Sequence, residues 1–403
     1  MDVLVCGASV AGPTLAYWLH RYGFRVTVVE RAPGVRKAGG HAVDLFAPAL
    51  DIIERMGLLD PVTEHRTGTQ RITVRREGAR RPVTIDVGRL MGAVSRRHVE
   101  IMRDDLGEIL HTATRDDVEY LFGDSVASVS DDAEVTFERG APRRFDLVVG
   151  ADGLHSTVRR LVLGPESGFT RWLGAYLAVA SIPNDRGLRD SMECLVGVDR
   201  LAGMYSARHM SDARALFLFR PGSPLHLEHR DVPAQRRALR AAFTGLDGDV
   251  VRLLDEADRA EAFYFDSITQ LCLDTWSRGR VTLVGDAGYC PGPAVGGSTS
   301  LAVVGAFTLA GELALARGDH TIAYPAYERA LGDYVRRSRT FAATMANRLV
   351  PRSRAQLWAL TAGPRLLTAV PGPLVRTFTR RRGRLGLHDA VTPRDYPALV
   401  SRT

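Results

Sequence analysis

Lysine is almost missing from this chain: Lys37 is the only one among 53 lysine and arginine residues in 403. Arginine therefore carries the formal net charge of +7, and a coding bias explains that more simply than a function does. The densest basic cluster, Arg380 to Arg384, has only Phe378 as a nearby aromatic and belongs to no nucleic-acid module, so nucleic acid is not an expected partner. Cysteine is also scarce. Cys6, Cys194, Cys272 and Cys290 show no C-x-x-C spacing, which argues against a zinc site or a redox-active disulfide and suits reduced thiols in the cytoplasm. The first strand starts almost at Met1, with no charged and apolar leader before it, so no secretory signal is expected. No apolar stretch is expected to reach the ~18 residues of a membrane span. Internal repeats and low-complexity linkers are absent. No histidine stands at metal-ligand spacing with acids or cysteines, and His41, His98 and His155 read as surface or packing residues.

What is present is a chain long enough for two or three domains, with the apolar and charged fractions of an ordinary globular protein. Glycine and proline punctuation divides it into interleaved pieces. Apolar spacing predicts a helix within Leu45–Leu59 and strands within Arg71–Val87. It predicts another helix over Ser95–His111, with Val99, Met102, Leu106 and Leu110 on one face. Short strands follow near Val118–Leu121, Val126–Val129, Val135–Phe137 and Phe145–Val149. From Arg171 the runs WLGAYLAVASI, RALFLFR and AFYFDSI read as strands of a second sheet, with helices near Val232–Phe243 and Gly248–Ala257. A strand at Val281–Val284, a helix over about Ser298–Arg317 and a long helix to about Arg348 complete the body. Prolines at 351, 364, 371 and 373 interrupt bracing helices beyond it.

Three motifs carry chemistry. VLVCGASVAG followed by VTVVER is a strand, glycine turn, helix and strand, the unit that sets a nucleotide pyrophosphate on a helix N-terminus. Gly7 permits the turn, Gly12 lets the helix approach the strand, and Glu30 ends the second strand where a carboxylate accepts ribose hydroxyls. Ser9 replaces the usual middle glycine, so its side chain must point away from the phosphates. The second motif, VVGADGLHSTVRR, enters a turn at Asp152; by itself Asp152 is more often a helix cap. The third, GRVTLVGDAGYCPGPAVGGSTSLA, delivers Asp286 from a strand, and Gly296–Gly297 open a helix. A helix N-terminus there suits a negative charge that develops on a bound group.

In this order the motifs resemble the class A FAD-dependent aromatic monooxygenases, the family of para-hydroxybenzoate hydroxylase and the tetracycline-inactivating flavin enzymes. The resemblance runs from Met1 to about Arg348. It implies an α/β chain with a discontinuous Rossmann-like FAD domain (1–70, 92–170 and 272–345), a mixed-sheet substrate domain (71–91 and 171–271) and a C-terminal helical segment (346–403). It also implies that Gly7, Ser9, Ala11 and Gly12 hold the pyrophosphate of non-covalent FAD and Glu30 the ribose, with Arg31 beside the adenosine. Val126 lines the adenine slot, and Arg103 reaches the phosphates and ribityl chain. Asp152 belongs to a motif linked with FAD and NAD(P)H, Asp286 binds ribityl hydroxyls, and Pro293, Gly296, Gly297, Ser298 and Thr299 face the ring. His41 lies where the family passes near the flavin. The family usually has glycine at Ser298 and histidine at Tyr289. The implied reaction consumes NAD(P)H and O₂ and hydroxylates an aromatic, polycyclic small molecule through a flavin C4a-hydroperoxide; the alternative is a flavin-dependent reductase acting on an apolar substrate. No side chain is named as a general base. Halogenases of this fold need a lysine beside the substrate, and Lys37 lies in the FAD segment.

The first consequence is direct: the purified protein is expected to be yellow, and acid precipitation should release FAD into the supernatant. Flavin retained in the pellet would show covalent attachment and overturn this reading.

Overall fold

The computed structural model describes residues 1–35, 39–79, 81–88, 95–246, 248–293, 297–359 and 391–396. Lys37, Gly296, the prolines at 364, 371 and 373, and the Arg380 to Arg384 cluster lie outside the described residues. Along the chain the helices are α1 (Ala11–Arg21), α2 (Ala47–Arg55), α3 (Leu59–Glu64), α4 (Arg103–Thr112), α5 (Thr157–Leu163), α6 (Val232–Ala242), α7 (Asp249–Arg259), α8 (Asp286–Tyr289), α9 (Ser298–Leu315) and α10 (His320–Leu349).

A six-stranded sheet runs, in spatial order, Ser277–Arg278, Val281–Leu283, Leu147–Gly150, Asp2–Cys6, Arg25–Glu30 and Glu119–Phe122. The last five are parallel. Val3, Leu4 and Val5 at its centre are fully buried, as continuous apolar runs covered by helices on both faces must be. The sheet thus draws on three stretches of chain.

A seven-stranded mixed sheet has the order Phe263–Leu271, Thr170–Pro183, Asp212–Phe219, Arg200–Ser206, Ser191–Gly197, Arg71–Arg76 and Val83–Asp86. Alternation gives it two apolar faces. One bears Ala213, Ala215, Phe217 and Phe219 and is covered by Leu239, Phe243, Leu253 and Leu254 of the α6–α7 region. The other bears Leu177, Val179, Leu201 and Leu218 and packs on Ala342 and Ala346 near the end of α10.

Three expectations change. Residues 98–102 form a strand, not a helix, antiparallel to Ala42–Phe46, and the helix starts only at Arg103. Val99 and Ile101 point inward by a two-residue period there, which four apolar positions scored at helical spacing concealed. The hairpin Ser191–Gly197/Arg200–Ser206 was not foreseen, because the left-handed residue of its turn is Asp199 (φ 58°) and not glycine. Among the described residues one helix, α9, is long and apolar enough to cross a membrane, with mean hydropathy 1.5 over 18 residues, correcting the expectation of no such stretch. It is nevertheless a core helix, buried against α1, α2 and α10.

His155, just before α5, fastens the two sheets electrostatically. Its Nδ1 donates to Glu166 Oε1 (3.0 Å) and its Nε2 to Asp266 Oδ2 (3.2 Å) on the seven-stranded sheet. Burial pulls the imidazole pKa down, but the two carboxylates prevail and hold it up at about 10. A group whose folded pKa is raised stabilises fully below its unfolded pKa of about 6.5 and loses that contribution as pH rises through the folded value. His155→Gln should therefore unfold at lower urea than the parent near pH 6, with the gap closing towards about pH 10.5. A gap independent of pH would overturn the assignment.

Candidate cofactor and substrate site

The site is built around the start of α1, which has neither a capping side chain nor an acid in its first turn. Its orphan N–H groups and positive dipole end therefore face outward to an anion. Gly7 has φ 111°, and a Cβ there would stand 2.5 Å from the Ala151 oxygen. A Cβ on Gly12 would lie 1.9 Å from the Gly7 oxygen, so helix and turn touch main chain to main chain. The Ser9 hydroxyl accepts from Arg103 Nε at 3.1 Å, and this brings the arginine of α4 to the glycine turn.

At the end of its strand Glu30 accepts from Ala8 N through Oε2 and from Ala32 N through Oε1, both at 2.8 Å. Each oxygen keeps a second lone pair for a hydroxyl. Arg31 beside it is exposed. The Asp124 N–H donates to the Glu30 carbonyl at 3.2 Å, and Val126, two residues on, is buried.

The other two motifs arrive at the same place. The Cα of Asp152 would lie 3.1 Å from a Cβ on Gly7, and a Cβ on Gly285 would lie 3.0 Å from that of Ala11. The Asp152 carboxylate accepts from Ser156 Oγ (2.5 Å) and Val158 N (3.0 Å), supporting the first turn of α5, whose N-cap is Ser156 with its hydroxyl accepting from Arg159 N at 2.9 Å. Burial raises the Asp152 pKa, opposed by those same donors. The Asp286 carboxylate accepts from the Ser298 hydroxyl. Gly297 (φ 92°) opens α9, whose first turn, with Ser298 and Thr299, again has no capping side chain and no acid. Pro293 is half-buried nearby in sequence. Tyr289 is a core residue: its hydroxyl accepts from that of Tyr327 at 2.9 Å and its ring lies 4.7 Å from Trp276.

Sequence reasoning did not find the groups that tie residues 40–42 to α4 and to the seven-stranded sheet. Gly40 N donates to Asp104 Oδ2 (2.7 Å), Arg214 Nε donates to the Gly40 carbonyl (3.1 Å), and Ala42 N donates to the Tyr205 hydroxyl (2.9 Å). Tyr205 and Arg214 are cross-strand partners, so they share a sheet face with Leu216 and Leu218 by the two-residue period. Met192, Ile72 and Tyr264 belong to the same apolar cluster and are only half-buried. An open apolar wall thus adjoins the segment 40–42. No motif signals such a clamp, because its donors and acceptors come from four separate stretches of chain.

A cradle that a Cβ would fill, two uncapped helix starts, a strand-end carboxylate and an arginine converging on them fit FAD. Among the described residues no group of three or more His, Cys, Asp or Glu is placed to hold a metal. Residues 1–348 match the FAD binding domain family. The chain belongs to the class A FAD-dependent monooxygenases. It is similar to a flavin-dependent monooxygenase of Legionella longbeachae, 37% identical over 345 residues that cover 85% of this chain and 87% of the relative. It is also similar to an uncharacterized protein of Mycobacterium tuberculosis, 46% identical over 341 residues, 83% of this chain and 91% of that one. Among solved structures, the tetracycline destructase Tet(55) superposes with a TM-score of 0.81 at 33% identity, covering 98% of each chain. Klebsiella pneumoniae HpxO with FAD and uric acid shares the fold, with a TM-score of 0.70 at 23% identity over 96% of this chain and 97% of that one.

Removing either charged partner should loosen the cofactor. Glu30→Ala and Arg103→Ala should each lower FAD affinity about ten- to a hundredfold, since a charge-assisted hydrogen bond is worth roughly 1.5–3 kcal/mol. Fluorescence titration of the apoprotein checks this, and unchanged affinity in both variants would overturn the placement.

Proposed function

We propose that this monooxygenase uses NAD(P)H and O₂ to hydroxylate a polycyclic aromatic small molecule in the cytoplasm. The balance is ArH + O₂ + NAD(P)H + H⁺ → ArOH + NAD(P)⁺ + H₂O. FAD, when bound, supplies the redox and oxygen-activating chemistry. The chain's own work is to bind, orient and exclude water. In this reading residues 1–70, 92–170 and 272–345 carry the cofactor, and 71–91 with 171–271 carry the substrate. Gly7, Ser9, Ala11 and Gly12 take the pyrophosphate with Arg103. Glu30 takes the ribose, Arg31 and Val126 flank the adenosine, and Asp152 joins the second motif to the glycine turn. Asp286 takes the ribityl chain, and Pro293, Gly296, Gly297, Ser298 and Thr299 form the edge of the ring site.

The observation that carries the substrate class is the open apolar wall of Ile72, Met192, Leu216 and Tyr264 on the sheet face that also bonds the segment 40–42. A large, flat, mostly apolar ligand buries most of its surface in such a place, with few polar groups to orient it. Likeness to a tetracycline destructase, named for a four-ring substrate, supports the same size class.

Turnover under labelled dioxygen tests both parts. Polycyclic phenols or quinones should stimulate NAD(P)H oxidation and leave with label from O₂, while single-ring benzoates should be poor substrates. Label arriving from water alone, a product that is only saturated, or tight coupling on para-hydroxybenzoate with no response to polycyclic compounds would overturn it.

A further inference from the structure

Four hydrogen bonds, two from the start of α4 and two from the seven-stranded sheet, converge on the main chain of three consecutive residues, and the side chain they present is that of His41. Its neighbours Gly40 and Ala42 are held by Asp104, Arg214 and Tyr205, and its own carbonyl accepts from Arg103 N at 3.1 Å. Gly40 has no room for a side chain, since a Cβ would stand 2.5 Å from Asp104 Oδ1. His41 is thus the first side chain after the glycines Gly39 and Gly40, on backbone that cannot shift without breaking contacts to α4 and to the seven-stranded sheet. Its ring is half-buried and lies 5.4 Å from that of Tyr264, tilted by 37°.

Tyr264 locates the imidazole. It belongs to the open apolar wall, and it lies within electrostatic range of Arg103 and Asp286, the groups assigned to the cofactor. His41 therefore stands at the seam where an apolar substrate on the wall meets the cofactor residues. We propose that His41 is a catalytic residue that accepts the proton of a phenolic or enolic hydroxyl on the polycyclic substrate. This rests on the substrate class proposed above.

The chemistry follows from what electrophilic hydroxylation needs. The substrate O–H bond breaks, the proton goes to an imidazole nitrogen, and the electron pair stays on oxygen, enriching the ring carbons ortho and para to it. After the new C–O bond forms, the hydrogen on that carbon leaves as a proton and the substrate oxygen is reprotonated. Imidazole is suited to the task because its ordinary pKa lies near neutrality. Among the described residues, the charged and titratable neighbours include Arg103 and Asp104 of α4, Arg214, Tyr205 and Tyr264 of the sheet, and Asp266 beside Tyr264. In this set Arg103 and Arg214 favour a bound phenolate, while Asp104 and Asp266 oppose it. Because main-chain atoms form the clamp, replacing the His41 side chain leaves it in place.

The test uses the oxidised holoenzyme and alizarin, 1,2-dihydroxyanthraquinone, whose visible band reports ionisation. Bound to the parent enzyme, alizarin should ionise with a pKa lowered by at least about one unit, a tenfold shift in the proton equilibrium. In His41→Gln, with the flavin spectrum unchanged, the bound ligand should ionise near its free value. Hydroxylation in that variant should fall about a hundredfold or more. Alizarin that binds the parent but ionises at its free pKa, or a shift that survives in His41→Gln, overturns the role of His41 and leaves the substrate class standing. If alizarin and other polycyclic phenols do not bind the parent at all, the substrate reading falls and this inference with it.

Discussion

The contact on which the site depends is that between Gly12 and the carbonyl of Gly7. With 1.9 Å between that oxygen and the place a Cβ would occupy, no other residue lets α1 begin so close to the first strand. That closeness sets the uncapped N–H groups of α1 at the end of a parallel sheet, the position where open α/β sheets bind ligands. The other two motifs then pack on the same helix start, Gly285 against Ala11 and Asp152 against Gly7. A dinucleotide site assembled from three remote stretches of chain follows from main-chain contact more than from side-chain chemistry. Charge enters second: Arg103 and Glu30 reach a place that glycine has already cleared.

The same reasoning explains what could be read in the sequence. Glycines that admit close approach leave a spacing signature, as do a strand's apolar run and the acid that ends it, so the course of the three motifs was legible. The strand at 98–102 was not. Its residues face a two-stranded ribbon with Asp44 opposite Glu100 and Phe46 opposite His98, and this polar face disguises a strand as one turn of an amphipathic helix. The clamp on residues 40–42 was illegible for another reason. Asp104, Tyr205 and Arg214 are ordinary in local context, and only the tertiary fold brings α4 and two strands of the seven-stranded sheet to one segment.

Asp152 shows how a motif residue serves structure and site together. Its carboxylate is engaged with Ser156 and Val158 at the start of α5, so the side chain does what an isolated aspartate before a helix does. Arg159 in that helix is almost fully buried; it donates to the carbonyls of Ala287 and Leu154 and pairs with Glu166 at 2.6 Å. Asp152 thus fixes α5, and α5 fixes α8, where Asp286 begins. Removing a partner from a buried, hydrogen-bonded charge such as Arg159 leaves the other groups unsatisfied. The second motif is therefore best understood as the brace that holds the third in register with the first.

Polar groups at the junction of residues 40–42 with α4 and the seven-stranded sheet have a cost that its geometry offsets. Tyr205, Arg214 and Asp104 are nearly buried, and burial raises the Tyr205 hydroxyl well above its ordinary pKa. An apolar junction of the same shape would avoid that desolvation. It would also lack direction, since apolar contact fixes neither register nor the orientation of residues 40–42. Hydrogen bonds at 2.7, 2.9 and 3.1 Å from three elements fix the main chain there. The polar clamp thus converts residues 40–42 into a rigid edge beside the apolar wall.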